Sequence, residues 1–193
     1  MAADGAASRP RDNAIFEAAR SDIHRMKRRT LIGLGIAAGA VVATGATMLA
    51  WWQPGWEHGR LSARGRALFG AVAQAVLADL LPADPAARRA ALQAQLGRLE
   101  ASVAGMHPAT RKEIEQLTTL LAHPAARRLL VGLDTDWPEA DIAAVQRALG
   151  ALRASDQALK QQVYAALRDL TNAAYFSDRS AWAAIGYPGP LPL

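Results

Sequence analysis

Apolar residues recur at helical spacing throughout the chain after residue 62, and this pattern is the strongest constraint on the fold. In one predicted helix they are spaced by 4, 3 and 4 positions, which places them on one side. These residues are Leu92, Leu96, Leu99 and Val103. No stretch alternates polar and apolar residues for long enough to predict a strand. Alanine is abundant and aromatic residues make up only 6% of the chain. We therefore predict an all-α fold, an irregular bundle of about six to seven helices.

Proline, glycine and capping residues divide this pattern into separate helices. The predicted helices span 62–81, 86–104, 109–122, 125–133, 139–153, 157–174 and 179–184. A tail containing Pro188, Pro190 and Pro192 follows them. Residues 62–193 are predicted to form one helical domain, residues 51–61 a Gly- and Pro-containing linker, and residues 1–50 an N-terminal signal or transmembrane helix.

The N-terminal segment has the pattern of an export signal. Residues 31–52 contain no charged side chain, and a helix of that length spans roughly 30 Å of hydrocarbon. The preceding residues resemble the twin-arginine motif, which has paired arginines, one variable residue and two large apolar residues. In this chain those positions are Arg28, Arg29, Leu31 and Ile32.

Three interpretations of this segment remain open. It is a cleaved twin-arginine signal, the same signal retained as a membrane anchor, or a plain single-pass anchor whose arginines follow the positive-inside rule. All three place the helical domain beyond the cytoplasm. The predicted location is the periplasm, or the inner membrane facing the periplasm if the leader is retained. The twin-arginine translocase is then a predicted partner.

Charge and cysteine content exclude several classes of function. The net charge is +5, but residues 1–29 hold seven basic against four acidic residues, and the remaining chain holds 15 against 13. A nearly balanced domain is not expected to bind nucleic acid. The chain has no cysteine, which excludes disulfides, thiolate metal sites, iron–sulfur clusters and covalent haem attachment within it.

The sequence does not predict an active site or a metal site. His58, His107 and His123 lie beside Gly or Pro, where a capping or surface role is expected. The carboxylates between Asp134 and Asp141 lack the spacing of a calcium loop, and we expect them to form a turn before a helix. No phosphate-binding glycine loop or nucleophile elbow is present. We therefore expect no catalytic, cofactor-binding or metal-binding residues in this chain.

Aromatic residues fall into two groups. Trp51, Trp52 and Trp56 follow the apolar segment, where their amphipathic rings suit a membrane interface. The second group lies in the last 20 residues and has two compatible interpretations: packing of the tail on the core, or a partner-binding surface with rigid anchors. The partner-binding candidates are Tyr175, Phe176, Trp182, Tyr187 and Pro188.

The end of the chain resembles a known family. Residues 172–178 followed by residues 182–190, with the ending Gly-Tyr-Pro-Gly-Pro, are similar to the end of the gluconate 2-dehydrogenase subunit 3 family. The segment 68–85, an apolar helix ending in Leu-Leu-Pro-Ala-Asp-Pro, looks like that family's opening helix. A twin-arginine leader ahead of a helical domain without a cofactor is a further similarity.

The resemblance implies a non-catalytic small subunit of an exported flavin-dependent dehydrogenase complex. In such complexes the large subunit is a flavoprotein of the glucose–methanol–choline oxidoreductase type, and a multihaem cytochrome c subunit often takes the electrons. FAD and haem c are thus expected in partner subunits and not in this chain. The small subunit often supplies the export signal for both proteins. The alternative is a membrane-anchored envelope interaction protein with no redox partner.

Overall fold

The computed structural model describes residues 54–189, and within them the fold is all-α, as predicted. The six α-helices are α1 (Ala63–Val76), α2 (Pro85–Ala104), α3 (Pro108–Ala122), α4 (Pro124–Ala126), α5 (Ile142–Ala154) and α6 (Ala158–Phe176). A π-helical segment, Arg127–Val131, continues α4, and 3₁₀ helices span Trp137–Glu139 and Arg179–Ile185. The predicted N-terminal helix and residues 190–193 lie outside the described residues.

Proline begins three of the helices, because its fixed φ suits the first helical position and its missing N–H needs no partner there. Helices α2, α3 and α4 all start in this way. The residue before each proline caps the helix: Asp84 accepts a hydrogen bond from the Ala87 amide, and His107 and His123 accept through Nδ1. The predicted capping role of these two histidines is thus confirmed.

Helix α1 lies at the centre of the domain and packs against α2, α3, α5 and α6. Half of its 14 residues are buried, including Leu68, Phe69 and Val72. The stripe of α2 predicted from the sequence contributes Leu96, Leu99 and Val103 to the same core. Apolar residues of α5 and α6 complete it: Val145, Leu149, Leu152, Val163 and Leu167. Burial of these side chains is the main favourable contribution to folding.

Residues 54–61 differ from the predicted linker because they pack on the helical domain. A two-stranded antiparallel hairpin pairs β1 (Trp56–Glu57) with β2 (Arg60–Leu61). Both central residues of its turn, His58 and Gly59, have positive φ, as a type I′ turn requires. Two-residue strands are too short to give a period-two pattern, so the sequence did not predict them.

Trp56 is a core residue, and its predicted place at a membrane interface is wrong. Its side chain is 8% exposed, and the indole Nε1 donates a hydrogen bond to Thr118 Oγ1 at 3.1 Å. The neighbouring Gly55 amide donates to Thr119 Oγ1 at 2.9 Å. These bonds join the hairpin to α3. Trp51 and Trp52 lie outside the described residues.

A buried carboxylate joins the hairpin to α1 and α2. Glu100 accepts hydrogen bonds from the Leu61 amide at 3.2 Å and from Arg66 Nη1 at 2.8 Å. It also pairs with Arg60 at 3.4 Å. Because a buried charge is costly unless it is paired and hydrogen-bonded, this set of donors is what allows Glu100 to lie in the interior.

A buried arginine organises the segment between the π-helical turn and α5. Arg127 is 3% exposed and donates to the carbonyl oxygens of Leu133 at 3.2 Å and Asp134 at 3.1 Å. It also pairs with Asp136, which caps the next turn by accepting from the Trp137 amide at 2.9 Å. The carboxylates of this segment therefore lie in a turn before a helix, as predicted, and Asp136 has a structural partner.

Candidate partner-binding surface

The predicted partner-binding residues fall within or just before one continuous piece of structure, which we call the C-terminal segment (residues 177–189). It follows α6 directly and contains the 3₁₀ helix Arg179–Ile185. Asp178 caps this helix by accepting hydrogen bonds from the Ser180 amide at 3.0 Å and the Ser180 hydroxyl at 2.7 Å. An acidic N-cap followed by a short helix is locally favoured, because the carboxylate satisfies an amide that has no intrahelical partner.

Tyr175 and Phe176, at the end of α6, mainly support the fold. The Tyr175 hydroxyl donates to the Leu80 carbonyl oxygen at 3.0 Å, and its ring packs on a small core cluster that includes Leu77 and Leu81. Its ring also meets Phe176 edge-on, at a centroid distance of 5.2 Å. Both rings are half-buried. Packing of the aromatic group on the core, one of the two interpretations above, therefore holds for Tyr175.

Trp182 is the centre of the C-terminal segment. Its indole Nε1 donates to the Phe176 carbonyl oxygen at 2.8 Å. The Arg179 guanidinium lies 5.8 Å from the ring centroid, in the range of a cation–π contact. The Tyr187 ring packs against Trp182 at 5.3 Å with an interplanar angle of 63°. These contacts on several sides fix the orientation of a half-buried tryptophan.

The chain reverses after this helix in a Schellman motif. The Gly186 amide bonds to the Ala183 carbonyl oxygen at 3.1 Å, and the Tyr187 amide bonds to the Trp182 carbonyl oxygen at 3.0 Å. Gly186 has φ of 68°, a left-handed conformation that glycine adopts without steric cost. The motif is commonly accompanied by an apolar contact between two positions at the helix end. In this chain Trp182 and Tyr187 occupy those two positions. The Gly-Tyr sequence thus defines the conformation of the tail.

This conformation exposes large apolar side chains. Ile185 is 53% exposed and Tyr187 is 46% exposed, and Pro188 is also exposed. The remaining exposed large apolar residue of the part of the chain that the structure describes is Leu129, which lies on the π-helical segment. Adjacent exposed apolar residues held in a fixed geometry are typical of protein-binding surfaces. Of the five predicted residues, Tyr187 and Pro188 are thus the most accessible, and Ile185 is one that the prediction missed.

Asp178 is hydrogen-bonded to Ser180 and paired with Arg98. The hydrogen bonds from Ser180 lower its pKa from the usual value of 3.8, and the charge of Arg98, 3.2 Å away, lowers it further. Because the pKa is lowered in the folded protein, the ionised form stabilises the segment above the unfolded value. This contribution is lost as the pH falls through the lowered pKa.

A groove of about 390 Å³ lies over α1, between α2 and the 3₁₀ turn at Trp137. Its floor is formed by small residues such as Ala67 and Gly70. Its charged lining residue, Arg66, is already paired with Glu100. Within residues 54–189, no three side chains of His, Cys, Asp or Glu are grouped closely enough to hold a metal ion.

The residues of the predicted export signal, Arg28, Arg29, Leu31 and Ile32, lie outside the described residues. Between residues 54 and 189 the structure contains no helix that is long and apolar enough to cross a membrane. Comparison of the chain with models of protein families, with curated proteins and with solved structures found no match. The resemblance of the chain's end to the gluconate 2-dehydrogenase subunit 3 family therefore remains a prediction.

Proposed function

We propose that this chain is the non-catalytic small subunit of an exported flavin-dependent dehydrogenase complex of the glucose–methanol–choline type. In this role it supplies a twin-arginine export signal and stabilises the flavoprotein catalytic subunit, with a multihaem cytochrome c subunit as a further partner. FAD and haem c are bound by those partners. The complex works in the periplasm, or on the periplasmic face of the inner membrane if the leader is retained.

The observation that carries the proposal is the conformation of the C-terminal segment. Ile185, Tyr187 and Pro188 are exposed, while the Schellman motif and the Trp182 contacts hold the backbone beneath them. A surface that is already ordered loses little conformational entropy when a partner binds. Exposed apolar residues of this kind are expected in a subunit that forms a stable complex.

The sequence adds two further lines of support. The paired arginines precede an uncharged segment, as in leaders that export folded proteins. The described residues, in turn, form a helical domain with no grouped metal ligands. A domain of this kind has little need of such a leader for its own folding, so we infer that the leader serves a partner that folds around a cofactor.

The decisive experiment is isolation of the affinity-tagged full chain from its own cells, from both membrane and periplasmic fractions. We expect a yellow flavoprotein to co-purify, detected by flavin absorbance and by intact mass. The mass of the tagged chain also shows whether the leader is cleaved. A colourless chain with its leader intact would contradict the proposal. It would support the membrane-anchored envelope interaction protein, which the length of the apolar segment 31–52 favours.

Replacement of the exposed apolar residues tests the surface itself. We expect Ile185→Ser and Tyr187→Ser each to reduce the amount of retained flavoprotein by about tenfold, because apolar anchors at an interface contribute on the order of 1–2 kcal/mol each. Leu129→Ser is the matched control, since Leu129 is 79% exposed but lies on the π-helical segment. Equal losses for all three variants would contradict a specific role for the C-terminal segment.

The export signal gives a separate prediction. We expect replacement of Arg28 and Arg29 by lysine to lower the periplasmic amounts of both this chain and the flavoprotein, because the translocase requires the paired arginines. Lys27→Arg keeps the charge of the same region and serves as the control. Periplasmic levels that stay unchanged in the double variant, measured by immunoblotting of fractions, would rule out the twin-arginine interpretation.

A further inference from the structure

Arg98 of α2 connects two parts of the chain next to the partner-binding surface. Its Nε donates to the Ala174 carbonyl oxygen of α6 at 2.9 Å. Its Nη1 donates to Asp178 Oδ2 at 3.2 Å. Asp178 caps the 3₁₀ helix of the C-terminal segment. One guanidinium group thus holds the last turn of α6 and the N-cap of the next helix.

The carbonyl that Arg98 contacts lies in the last turn of α6, where carbonyl oxygens lack intrahelical partners. The Asp178 amide, which would continue the α-helical pattern, bonds instead to the Tyr175 carbonyl oxygen at 3.3 Å. Ala174 oxygen is therefore left to accept from the Ser177 hydroxyl at 2.9 Å and from Arg98. A cation at this end of a helix also interacts favourably with the helix dipole.

A second side chain of α2 makes the same kind of contact one turn earlier. Gln95 is fully buried, and its Nε2 donates to the Thr171 carbonyl oxygen at 3.4 Å. Gln95 and Arg98 are three residues apart on α2, and their acceptors Thr171 and Ala174 are three residues apart on α6. Residues three apart share a helix face, so these two side chains fix the position of the end of α6 relative to α2.

The other hydrogen bonds of the C-terminal segment are local. The Trp182 indole bonds to Phe176 of α6, and the Schellman bonds and the Ser180 bonds lie within the segment. Among the described residues, the hydrogen bond from Arg98 to Asp178 is thus the one that ties the segment to a helix other than α6. Without it, the segment is held to the rest of the domain by α6 and by packing.

We propose that Arg98 is the positioning residue of the partner-binding surface, because it fixes the start of the C-terminal segment, which carries Ile185 and Tyr187, against α2. The effect of Arg98 on partner binding rests on the proposed function. The effect on the segment itself is a property of this chain. Loss of the contact leaves the segment attached to α6 but lets it sample other conformations, so a partner must order it on binding.

Hydrogen exchange of the purified full chain tests the first part. We expect Arg98→Ala to raise the exchange rates of the Gly186 and Tyr187 amides by about tenfold, because their local opening becomes easier. The amides of α1 should keep their rates. Arg168→Ala is the control, because Arg168 pairs with Asp169 on the exposed side of α6. Unchanged exchange at Gly186 and Tyr187 would overturn the inference.

A second variant keeps the test valid if Arg98→Ala fails to fold. Asp178→Asn removes the charge that pairs with Arg98, while its side-chain oxygen can still accept from Ser180. We expect faster exchange in the same two amides, with an unchanged thermal midpoint for the whole domain. Arg98→Lys retains the charge but cannot make both hydrogen bonds in the fixed geometry of a guanidinium, so we expect an intermediate rate. Exchange that is the same in all variants would overturn the inference.

Retention of the flavoprotein by the same tagged variants tests the consequence in the complex. We expect Arg98→Ala and Asp178→Asn to lower retention several-fold, and in Asp178→Asn, whose α6 contact with Arg98 is kept, at an unchanged thermal midpoint. Faster exchange with full retention would overturn the role of Arg98 in docking. If the unaltered chain retains no flavoprotein, the proposed function fails, whereas the exchange rates still decide whether Arg98 positions the segment.

Discussion

Arg127→Ala is expected to destabilise the domain by about 3 kcal/mol, because it removes a buried guanidinium that satisfies several acceptors at once. The carbonyl oxygens of Leu133 and Asp134 lose their donors, and the space left by the side chain is not filled. Asp136 contributes less to this effect, since its side chain is 59% exposed and water can replace the arginine. The measurement is reversible chemical or thermal unfolding, with a decrease in Tm of roughly 10 °C.

The adjacent arginine provides the control for this prediction. Arg128 follows Arg127 in the same π-helical segment but is exposed, so Arg128→Ala should change the stability by less than about 0.5 kcal/mol. Arg127→Lys should recover only part of the loss, because one ammonium group cannot reach all three acceptors. Equal stabilities for the two alanine variants would show that the contacts of Arg127 contribute little to the fold.

Gly65→Ala is the second large effect, and its cause is steric. A Cβ atom at position 65 would overlap with the Gly55 carbonyl oxygen and lie 3.0 Å from Leu61 Cδ2. The backbone of the hairpin region cannot move away easily, because Gly55 also packs on α3, where its own Cβ would lie 2.8 Å from the Thr119 nitrogen. We expect a loss of about 3 kcal/mol or more, measured by unfolding in urea.

The same substitution elsewhere in α1 should have the opposite effect. At Gly70 a Cβ atom would have no neighbour within 4 Å. Gly70→Ala should therefore stabilise the domain by about 0.5–1 kcal/mol through helix propensity alone. The two variants differ only in their position on one helix, so a loss of stability in both would point to a general effect of substitution in α1 and against the proposed overlap.

The helices were predictable because their sequence signals are local. The apolar stripe of α2 and the prolines at 85, 108 and 124 define elements whose bounds agree with the structure within a few residues. Helix α1 is shorter than predicted and ends at Val76. The apolar residues that continue its pattern, Leu77 and Leu81, lie instead in a turn that packs under Tyr175. Periodicity identifies buried residues here, but not the point where the helix ends.

The charged residues that are buried or half-buried were not predictable from the pattern. From the sequence alone, Glu100, Arg127 and Arg98 are expected to be exposed to solvent, because charged residues are seldom buried without a partner. Their partners lie 34, 9 and 80 residues away in the chain, and only the tertiary fold brings them together. The same reason explains the hairpin, whose short strands depend on contacts with Thr118 and Glu100.

The candidate surface was predicted in part. Trp182 and the Gly-Tyr-Pro sequence do lie together in the C-terminal segment, and Tyr175 and Phe176 lie just before it at the end of α6. Tyr175, however, faces inward because its hydroxyl finds an acceptor at Leu80, a contact between residues 95 positions apart. No sequence pattern predicts that Ile185 is exposed, because its exposure follows from the chain reversal at Gly186.

The attachment of the hairpin to α3 has a mechanical consequence. Tension applied to the chain ahead of Pro54 acts on the Gly55–Thr119 and Trp56–Thr118 hydrogen bonds, within two residues of the point of loading. Pro54 is thus close in sequence to contacts in the interior of the domain. The Trp56 indole must leave its buried site before α1 separates from the helices around it. A force applied at Pro54 is therefore transmitted directly to the packed interior of the described domain.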